Sequence, residues 1–258
     1  MSYILYEKID SIAKISLNRA EKYNSFCREM ALDMQHALDD ASNDHSIRCV
    51  YITGIGKAFC AGQDLAEAIE DNGIELSQIV TEHYNPIIEK MRQMPTTAAC
   101  AVNGVAAGAG ANIALTGDIV VATESASFIQ AFSKIGLIPD SGGTYFLPRL
   151  IGMQQASALM MLGDKVMATE ALAMGMIYKL YTDENFLNES WKLAQTLASM
   201  PTRGLALTKQ LLNESYANTL SQQLVLEGQI QVAAAQSYDY QEGVNAFLEK
   251  RKPVFKGE

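Results

Sequence analysis

One carboxylate and two loops of small residues are the parts of this sequence that could carry out chemistry. Asp140 lies between a proline and Ser-Gly-Gly, in residues 138–143. The stretch around Gly108 and residues 59–65 offer few reactive side chains, but their Gly and Ala residues leave backbone N–H groups accessible. Converging N–H groups can stabilise an oxyanion, and a nearby carboxylate can carry a proton. We therefore predict that the three stretches form one active site, with Asp140 as the proton carrier.

Each of these features also has a purely structural interpretation. An Asp that follows Pro and precedes Ser-Gly-Gly is a favoured helix N-cap, so Asp140 could be a cap, a catalyst or both. A helix that begins near Gly108 would direct unpaired N–H groups and the positive end of its dipole at an anion. The same small residues could instead serve only close packing of a helix on a strand. Spacing alone leaves both alternatives open.

Composition excludes several classes of function. The chain has 258 residues, is 48% hydrophobic and carries a formal net charge of −9. It has no basic stretch that could follow a nucleic acid backbone, although a few Lys and Arg residues could still bind a small anion. It shows neither an apolar run of transmembrane length nor an N-terminal signal peptide. We expect a soluble cytoplasmic protein that binds neither nucleic acid nor membrane.

Metal and nucleotide cofactors are not expected either. The cysteines form no CxxC pair, which favours free thiols, and the histidines lack the spacing of metal ligands. The glycines at 108 and 110 are not followed by a third at the position that dinucleotide binding requires, and no P-loop motif occurs. The residues concerned are Cys27, Cys49, Cys60, Cys100, His36, His45 and His83.

The elements that would position the site alternate between strands and helices. Residues 4–6 and 12–17 predict a β-hairpin, followed by a helix that Asn24 or Ser25 could cap and that runs to about residue 41. Two apolar strands, 49–53 and 97–103, each end at a glycine followed by small residues, a weak indication of a ββα repeat. After about residue 185 the pattern is helical throughout. These features predict an α/β body over residues 1–195 and an all-helical region over 196–258.

Four motifs resemble the enoyl-CoA hydratase/isomerase (crotonase) family. They are residues 18–20, 59–65, 101–104 and 132–140, and the similarity extends from about residue 3 to residue 255. The resemblance implies a crotonase-type spiral of ββα units with a C-terminal helical region that mediates trimerisation. It also implies an acyl-CoA thioester substrate, a homotrimer or a dimer of trimers, and no cofactor beyond the coenzyme A of the substrate.

The resemblance assigns roles to individual residues. By motif position, the oxyanion N–H groups belong to Gln63 and Ala109, where the family usually has Gly at the second position. The two glutamates that hydratases use to hold and activate water are replaced by Asn112 and Phe132. Asp140 matches the position where several isomerases carry an acid. Catalysis is therefore expected to depend on one carboxylate.

Further contacts follow from the same motif positions. The residues expected around the acyl thioester are Ala61, Gly62, Asp64, Leu65, Gly108, Asn112, Phe132 and Pro139. Arg19, Lys22 and Lys250 are expected to bind coenzyme A, and Lys250 corresponds to a position that can reach the ligand of a neighbouring subunit. Ala66 stands where hydratases often have a basic residue. Residues 66–80 are expected to shape the acyl pocket.

These positions predict an acyl-CoA isomerase. The Cys-Ala-Gly-Gln-Asp-Leu and Leu-Ile-Pro-Asp segments are most similar to isomerases that convert ring-1,2-epoxyphenylacetyl-CoA to oxepin-CoA in phenylacetate breakdown. Shifting the double bond of a 3-enoyl-CoA to the 2-position is a related possibility. The alternatives are a 2-enoyl-CoA hydratase of fatty-acid or aromatic catabolism, and a non-catalytic acyl-CoA-binding homologue. Such a homologue could work in a complex with a second crotonase homologue.

Overall fold

Strands and helices alternate along most of the chain. The computed structural model describes residues 2–68 and 74–258. The strands are β1 Ile4–Ile9, β2 Ile12–Leu17, β3 Cys49–Gly54, β4 Ala58–Cys60, β5 Thr97–Val102, β6 Val105–Ala107, β7 Ile119–Thr123, β8 Ser127–Ile129, β9 Lys165–Met167 and β10 Lys179–Tyr181. The helices are α1 Arg28–Asn43, α2 Leu65–Ala68, α3 Leu76–Gln78, α4 Asn85–Gln93, α5 Ala109–Leu115, α6 Gly143–Ile151, α7 Met153–Leu162, α8 Ala168–Ala173, α9 Phe186–Ser199, α10 Thr202–Ser215, α11 Leu220–Ala235 and α12 Tyr238–Glu249. A π-helical segment, Ile79–Tyr84, joins α3 to α4, and short 3₁₀ helices occupy Ala20–Lys22 and Ala131–Ile135.

The strands form two sheets through a repeated pair of strands. The larger sheet has the order β1-β2-β3-β5-β7-β10 and the smaller one the order β4-β6-β8-β9. Each consecutive pair, β3 with β4, β5 with β6 and β7 with β8, gives its first strand to the larger sheet and its second to the smaller one. The chain therefore advances by one strand in both sheets at each turn. This arrangement confirms the predicted spiral of ββα units.

The carboxyl ends of three short parallel strands meet at one edge of the smaller sheet. Cys60 in β4 pairs with Ala106 in β6, and Ala107 pairs with Ile129 in β8. Because neighbouring parallel strands end at the same edge, the segments that leave them are brought together. These segments begin at residues 61, 108 and 130, and they contain the predicted oxyanion residues and, further along, Asp140.

The larger sheet is covered on both faces. Its main apolar core lies against α1 and α4, with the buried side chains of Met34 and Met91 among those that fill it. On the other face, Tyr51 packs edge-on against Trp191 of α9, with ring centroids 5.4 Å apart. The continuous apolar sequence of β3, which is buried over five of its six residues, follows from this double cover.

Four helices, α9 to α12, form the predicted C-terminal helical region. The region begins at Phe186, and residue 195 lies inside α9, whose apolar face is part of the second core. Lys209 of α10 is buried and binds Asp118 beside β7, which attaches the following helices to the spiral. The role of this region in trimerisation stays a prediction. No helix among the described residues is long and apolar enough to cross a membrane.

The N-terminus of α1 differs from the prediction. The N-cap is Cys27, so the predicted caps Asn24 and Ser25 are wrong. The carboxylate of Glu67 instead accepts the N–H of Arg28, at 3.0 and 3.2 Å from its two oxygens. Asn24 is fully buried, and its amide donates to the carbonyls of Ile55 and Ala58. A long-range contact thus replaces the local cap.

Candidate active site

The two loops of small residues lie against each other. A Cβ placed on Gly110, in the first turn of α5, would come within 2.4 Å of the Cys60 carbonyl oxygen and 2.6 Å of its Sγ. A Cβ placed on Gly62 would lie 3.6 Å from the backbone nitrogen of Ala109. Glycine at 110 is therefore a steric requirement, because only a residue without a side chain lets the helix approach β4 this closely. The approach brings the backbone of residues 62–63 to the N-terminus of α5.

The predicted oxyanion donors, Gln63 and Ala109, lie in the two segments that make this contact. Ala109 is the first residue of α5, where an N–H has no partner within the helix. The chain on either side of Gln63 is paired with Phe26, since Phe26 donates to the Gly62 carbonyl at 2.7 Å and Asp64 donates to the Phe26 carbonyl at 2.8 Å. Among the described residues, neither the Gln63 N–H nor the Ala109 N–H donates a hydrogen bond. Both N–H groups are therefore uncommitted, and their role as an oxyanion hole stays a prediction.

The side chain of Gln63 is held by residues that the sequence did not indicate. The hydroxyl of Tyr84 donates to Gln63 Oε1 at 2.7 Å, and Gln63 Nε2 donates to Glu67 at 3.2 Å. Tyr84 is fully buried at the end of the π-helical segment, and burial raises its pKa well above the usual value. The phenol therefore remains a hydrogen-bond donor at neutral pH. π-Helical segments frequently occur at functional sites, but the sequence of this one gave no sign of it.

Asp140 lies in a tight turn before α6 and does not cap that helix. The N-cap of α6 is Gly142, and no side chain caps it, which rules out the capping alternative for the Asp140 carboxylate. The backbone carbonyl of Asp140 accepts the N–H of Gly143 at 2.8 Å. Its carboxylate accepts a hydrogen bond from the Ser141 hydroxyl at 2.9 Å. Ser141 and Gly142 both have positive φ values, 50° and 74°, so the turn is strained at Ser141.

The surroundings of Asp140 favour its protonated form. Burial raises the pKa of this carboxyl above the usual range, and the hydrogen bond from Ser141 opposes the shift only in part. No Lys or Arg side chain among the described residues forms an ion pair with it. A carboxylate with a raised pKa and no cationic partner suits a group that takes up and releases protons.

Asn112 connects the Asp140 turn to the smaller sheet. The side chain is buried, its Nδ2 donates to the Asp140 carbonyl at 2.9 Å, and its Oδ1 accepts a hydrogen bond from Gln130 at 2.8 Å. Both ends of the amide are therefore engaged within the protein. Its predicted contact with substrate stays a prediction. Gln130, which directly follows β8, was not among the predicted site residues.

Other predicted acyl contacts lie around the two loops. Phe132 is buried, and its Cζ would lie 3.7 Å from a Cβ placed on Gly108, so an aromatic ring adjoins the oxyanion loop. Ala61 is exposed on the loop after β4, Leu65 is exposed at the start of α2, and Pro139 is half-buried beside Asp140. Residues 69–73, part of the segment expected to shape the acyl pocket, lie outside the described residues.

The predicted coenzyme A residues have different environments. Arg19 forms an ion pair with Asp64 at 2.7 Å, and each side chain is less than one-seventh exposed. Burial alone would raise the pKa of Asp64, but the hydrogen bond from Arg19 lowers it below the usual value. Lys22 is exposed nearby, and Lys250 is exposed at the C-terminal cap of α12. Arg19 thus orders the loop after β4, and phosphate binding by the three cations stays a prediction.

Comparison with known proteins gives consistent results over the whole chain. Residues 7–258 match the family model for enoyl-CoA hydratase/isomerase. The chain is 45% identical to the 1,2-epoxyphenylacetyl-CoA isomerase of Escherichia coli K12, with 100% of this chain and 99% of that protein covered. It is 41% identical to a Rhodobacter capsulatus protein named "Probable enoyl-CoA hydratase", with both chains fully covered.

Solved structures agree with the fold. The crystal structure of an enoyl-CoA hydratase from Bacillus anthracis superposes with a TM-score of 0.92 at 32% identity, covering 99% of this chain and 100% of that one. An enoyl-CoA hydratase/isomerase from Cupriavidus metallidurans gives a TM-score of 0.91 at 31% identity, covering 100% and 97%. The matched family model, the full-length relatives and the shared spiral fold show that the chain belongs to the enoyl-CoA hydratase/isomerase, or crotonase, family of enzymes.

Proposed function

We propose that this protein is an acyl-CoA isomerase that moves protons on the acyl part of a coenzyme A thioester. The observation that carries the proposal is that the N–H groups of Gln63 and Ala109 are uncommitted, while a half-buried carboxyl, Asp140, lies on a turn that contacts the same helix, α5, through Asn112. A thioester enolate develops its negative charge on one oxygen, which these donors would stabilise. The E. coli relative, an epoxyphenylacetyl-CoA isomerase by name, supports the isomerase assignment.

The chemistry would depend on a single proton carrier. With a 3-enoyl-CoA, Asp140 takes a proton from C2, the oxyanion hole holds the enolate oxygen, and the same carboxyl returns the proton to C4. The double bond then lies at the 2-position. With a ring-1,2-epoxyphenylacetyl-CoA, Asp140 assists ring opening and rearrangement to the oxepin. The buried ring of Phe132 contributes to an apolar environment, which favours proton transfer by a carboxyl whose pKa is raised.

Water addition fits this site less well. Hydration requires a nucleophilic water to be held and activated while a proton is delivered to carbon, and this usually involves two polar groups. Here Phe132 has no polar atom to offer, and both ends of the Asn112 amide are occupied by protein groups. The hydratase name of the R. capsulatus relative keeps a hydratase as the second candidate.

A substrate panel tests the proposal. Ring-1,2-epoxyphenylacetyl-CoA, 3-hexenoyl-CoA and crotonyl-CoA are incubated with the protein, and the products are identified by liquid chromatography and mass spectrometry. We expect isomerised product from one or both of the first two and little 3-hydroxybutyryl-CoA from crotonyl-CoA. Dominant hydration of crotonyl-CoA would identify a hydratase, and binding without turnover would identify a non-catalytic homologue.

The D140N variant tests the assigned residue. Positioned acid–base groups contribute about 10²–10⁴-fold to rate, so isomerisation should fall by that factor. Binding of acyl-CoA, measured by calorimetry, should change little, because the amide has nearly the same shape and the oxyanion hole is intact. Activity within a few-fold of wild type would remove Asp140 from the mechanism.

A further inference from the structure

The hydrogen bonds around Asn112 determine which way its side-chain amide is oriented. The backbone carbonyl of Asp140 can only accept, so the group 2.9 Å away must be the Nδ2 of Asn112. The Oδ1 then faces Gln130, which must present its own Nε2, at 2.8 Å. Each amide therefore donates to the next group: Gln130, at the end of β8, donates to Asn112 in α5, and Asn112 donates to the Asp140 carbonyl in the turn before α6.

The turn is shaped to receive this amide. A Cβ placed on Gly143 would come within 2.4 Å of Asn112 Nδ2, so a residue with a side chain at position 143 would displace the amide. Gly143 also donates its N–H to the Asp140 carbonyl, the same atom that Asn112 holds. Asn112 and Gln130 are only 1% and 5% exposed. Both side chains are therefore buried; Gln130 is held through its Nε2, because its Oε1 has no hydrogen-bond partner among the described residues.

The backbone strain in the turn explains why the hydrogen bond from Asn112 to the Asp140 carbonyl would be needed. Ser141 has a φ of 50°, which a residue with a side chain adopts only when its surroundings impose it. The Asp140 carbonyl immediately precedes Ser141, so the Asn112 amide holds the turn at its strained point. Any relaxation of the turn would move the Asp140 carboxylate relative to the oxyanion donors.

We propose that Asn112 and Gln130 form an amide pair that acts as the positioning device for Asp140. The inference rests on the proposed function and deepens it by naming the residues that orient the Asp140 carboxyl. The pair engages one hydrogen of the Asn112 Nδ2 and one lone pair of its Oδ1, which fixes the orientation of the amide.

Two variants and a matched control test the amide pair. N112A removes both hydrogen bonds, and Q130A leaves the Asn112 amide bonded to Asp140 alone. N213A is the control, because the Asn213 amide likewise bonds on both sides, to Arg92, but lies on α10 and bonds no group of the Asp140 turn among the described residues. A displacement of catalytic groups by about 1 Å can cost about 10²-fold, so kcat of N112A should fall by about that factor. KM should change less than about threefold, and Q130A should show a smaller fall in kcat.

Hydrogen exchange supplies a readout that does not depend on turnover. The Gly143 N–H, bonded to the Asp140 carbonyl, should exchange at least about tenfold faster in N112A, while amides of α11 keep their wild-type rates. N213A should leave both kcat and this exchange unchanged. Wild-type kcat and Gly143 exchange in both N112A and Q130A would overturn the positioning role.

The two readouts also separate this inference from the proposed function. If the wild-type protein isomerises nothing in the panel, the proposed function fails, and unchanged Gly143 exchange in N112A would refute the amide pair as well. If the wild type isomerises and D140N does not, but N112A and Q130A keep full kcat, the amide pair fails alone.

Discussion

The two halves of the proposed active site, the oxyanion half and the acid half, differ in the kind of group that they use. The oxyanion half uses backbone N–H groups of Gln63 and Ala109, placed by a close approach of α5 to β4 in which Gly110 touches Cys60. The acid half uses a side chain, Asp140, which lies in a strained turn whose backbone carbonyl accepts a hydrogen bond from the Asn112 amide. The oxyanion half depends on positions without a side chain, such as Gly110. The acid half depends on the chemical identity of one side chain, Asp140.

The difference shows how each half should respond to substitution. A backbone donor is indifferent to its own side chain but sensitive to any Cβ that pushes the strand and the helix apart. A carboxyl group is sensitive to its own identity, to burial and to the groups that orient it. The following predictions test that contrast, from the largest expected effect to the smallest.

Gly110→Ala should damage the oxyanion half most. Its Cβ would meet the Cys60 carbonyl at 2.4 Å, which backbone atoms can relieve only by moving α5 away from β4. Loss of an oxyanion donor costs about 10²–10³-fold in kcat, and overpacking costs about 1–3 kcal/mol of unfolding free energy. Steady-state kinetics and urea unfolding measure the two effects.

Gly228→Ala is the matched control for this substitution. Gly228 lies in α11, and a Cβ there meets nothing within 4 Å. Alanine is favoured over glycine in a helix by up to about 1 kcal/mol, so this variant should be as stable as wild type or more so, with unchanged kcat. Equal activity of the two variants would show that the contact with Cys60 does not place the donors.

The acid half should respond to pH. If Asp140 takes up the first proton as a carboxylate, kcat/KM should fall about tenfold per pH unit below the pKa of Asp140. Because burial raises this pKa, the fall should begin at a higher pH than for an ordinary aspartate. A pH–rate profile from about pH 3 to about pH 8, which covers the ordinary aspartate pKa, measures it. An activity that stays constant down to the ordinary pKa of an aspartate, about 3.9, would contradict the raised pKa.

The same shift predicts a change in stability. Because the pKa of Asp140 is raised on folding, its charged form destabilises the native state, and this cost is present above the folded pKa. At pH 7 D140N should therefore unfold at a higher urea concentration than wild type. Its free energy of unfolding should be greater by about 0.5–2 kcal/mol, as is common when a residue needed for function but costly to stability is replaced. The gain should shrink as the pH falls through the folded pKa.

Tyr84→Phe should have a moderate effect on the oxyanion half. It removes the hydroxyl that donates to Gln63 at 2.7 Å but keeps the buried ring. A hydrogen bond of this kind contributes about 0.5–1.5 kcal/mol, so kcat should fall by up to about tenfold if the side chain of Gln63 helps to orient its N–H. Kinetics with a 3-enoyl-CoA test this, and an unchanged kcat would mean that the backbone pairing with Phe26 suffices.

Ala109→Gly should have the smallest effect. The N–H at this position remains, and only a methyl group at the start of α5 is lost. We expect kcat within about threefold of wild type and a loss of stability below about 1 kcal/mol, the helix cost of glycine. A large loss of activity would show that the Ala109 side chain, and not its N–H, matters to the reaction.

The sequence was most informative where the signal is local. Alternating apolar residues predicted the hairpin of β1 and β2, and glycines after apolar strands predicted the ends of β3 and β5. The family motifs predicted the spiral and singled out Asp140, whose alternative role as a helix cap the structure removed. Local spacing also misled, because it placed the cap of α1 at Asn24 or Ser25 although Glu67 supplies it from 39 residues away along the chain.

The sequence by itself determined which groups are available: two loops of small residues, the carboxylate of Asp140, and no acid at the two hydratase positions. Tertiary structure alone decided how they meet. Asn112 lies 18 residues from Gln130 and 28 from Asp140, and the spiral brings all three into contact. No periodic pattern in the sequence predicts such contacts. They depend on which strands end at the same edge of a sheet and on how closely a helix can approach those strand ends. The contact between the Asp140 turn and α5, which begins at Ala109, is therefore a property of the packed spiral.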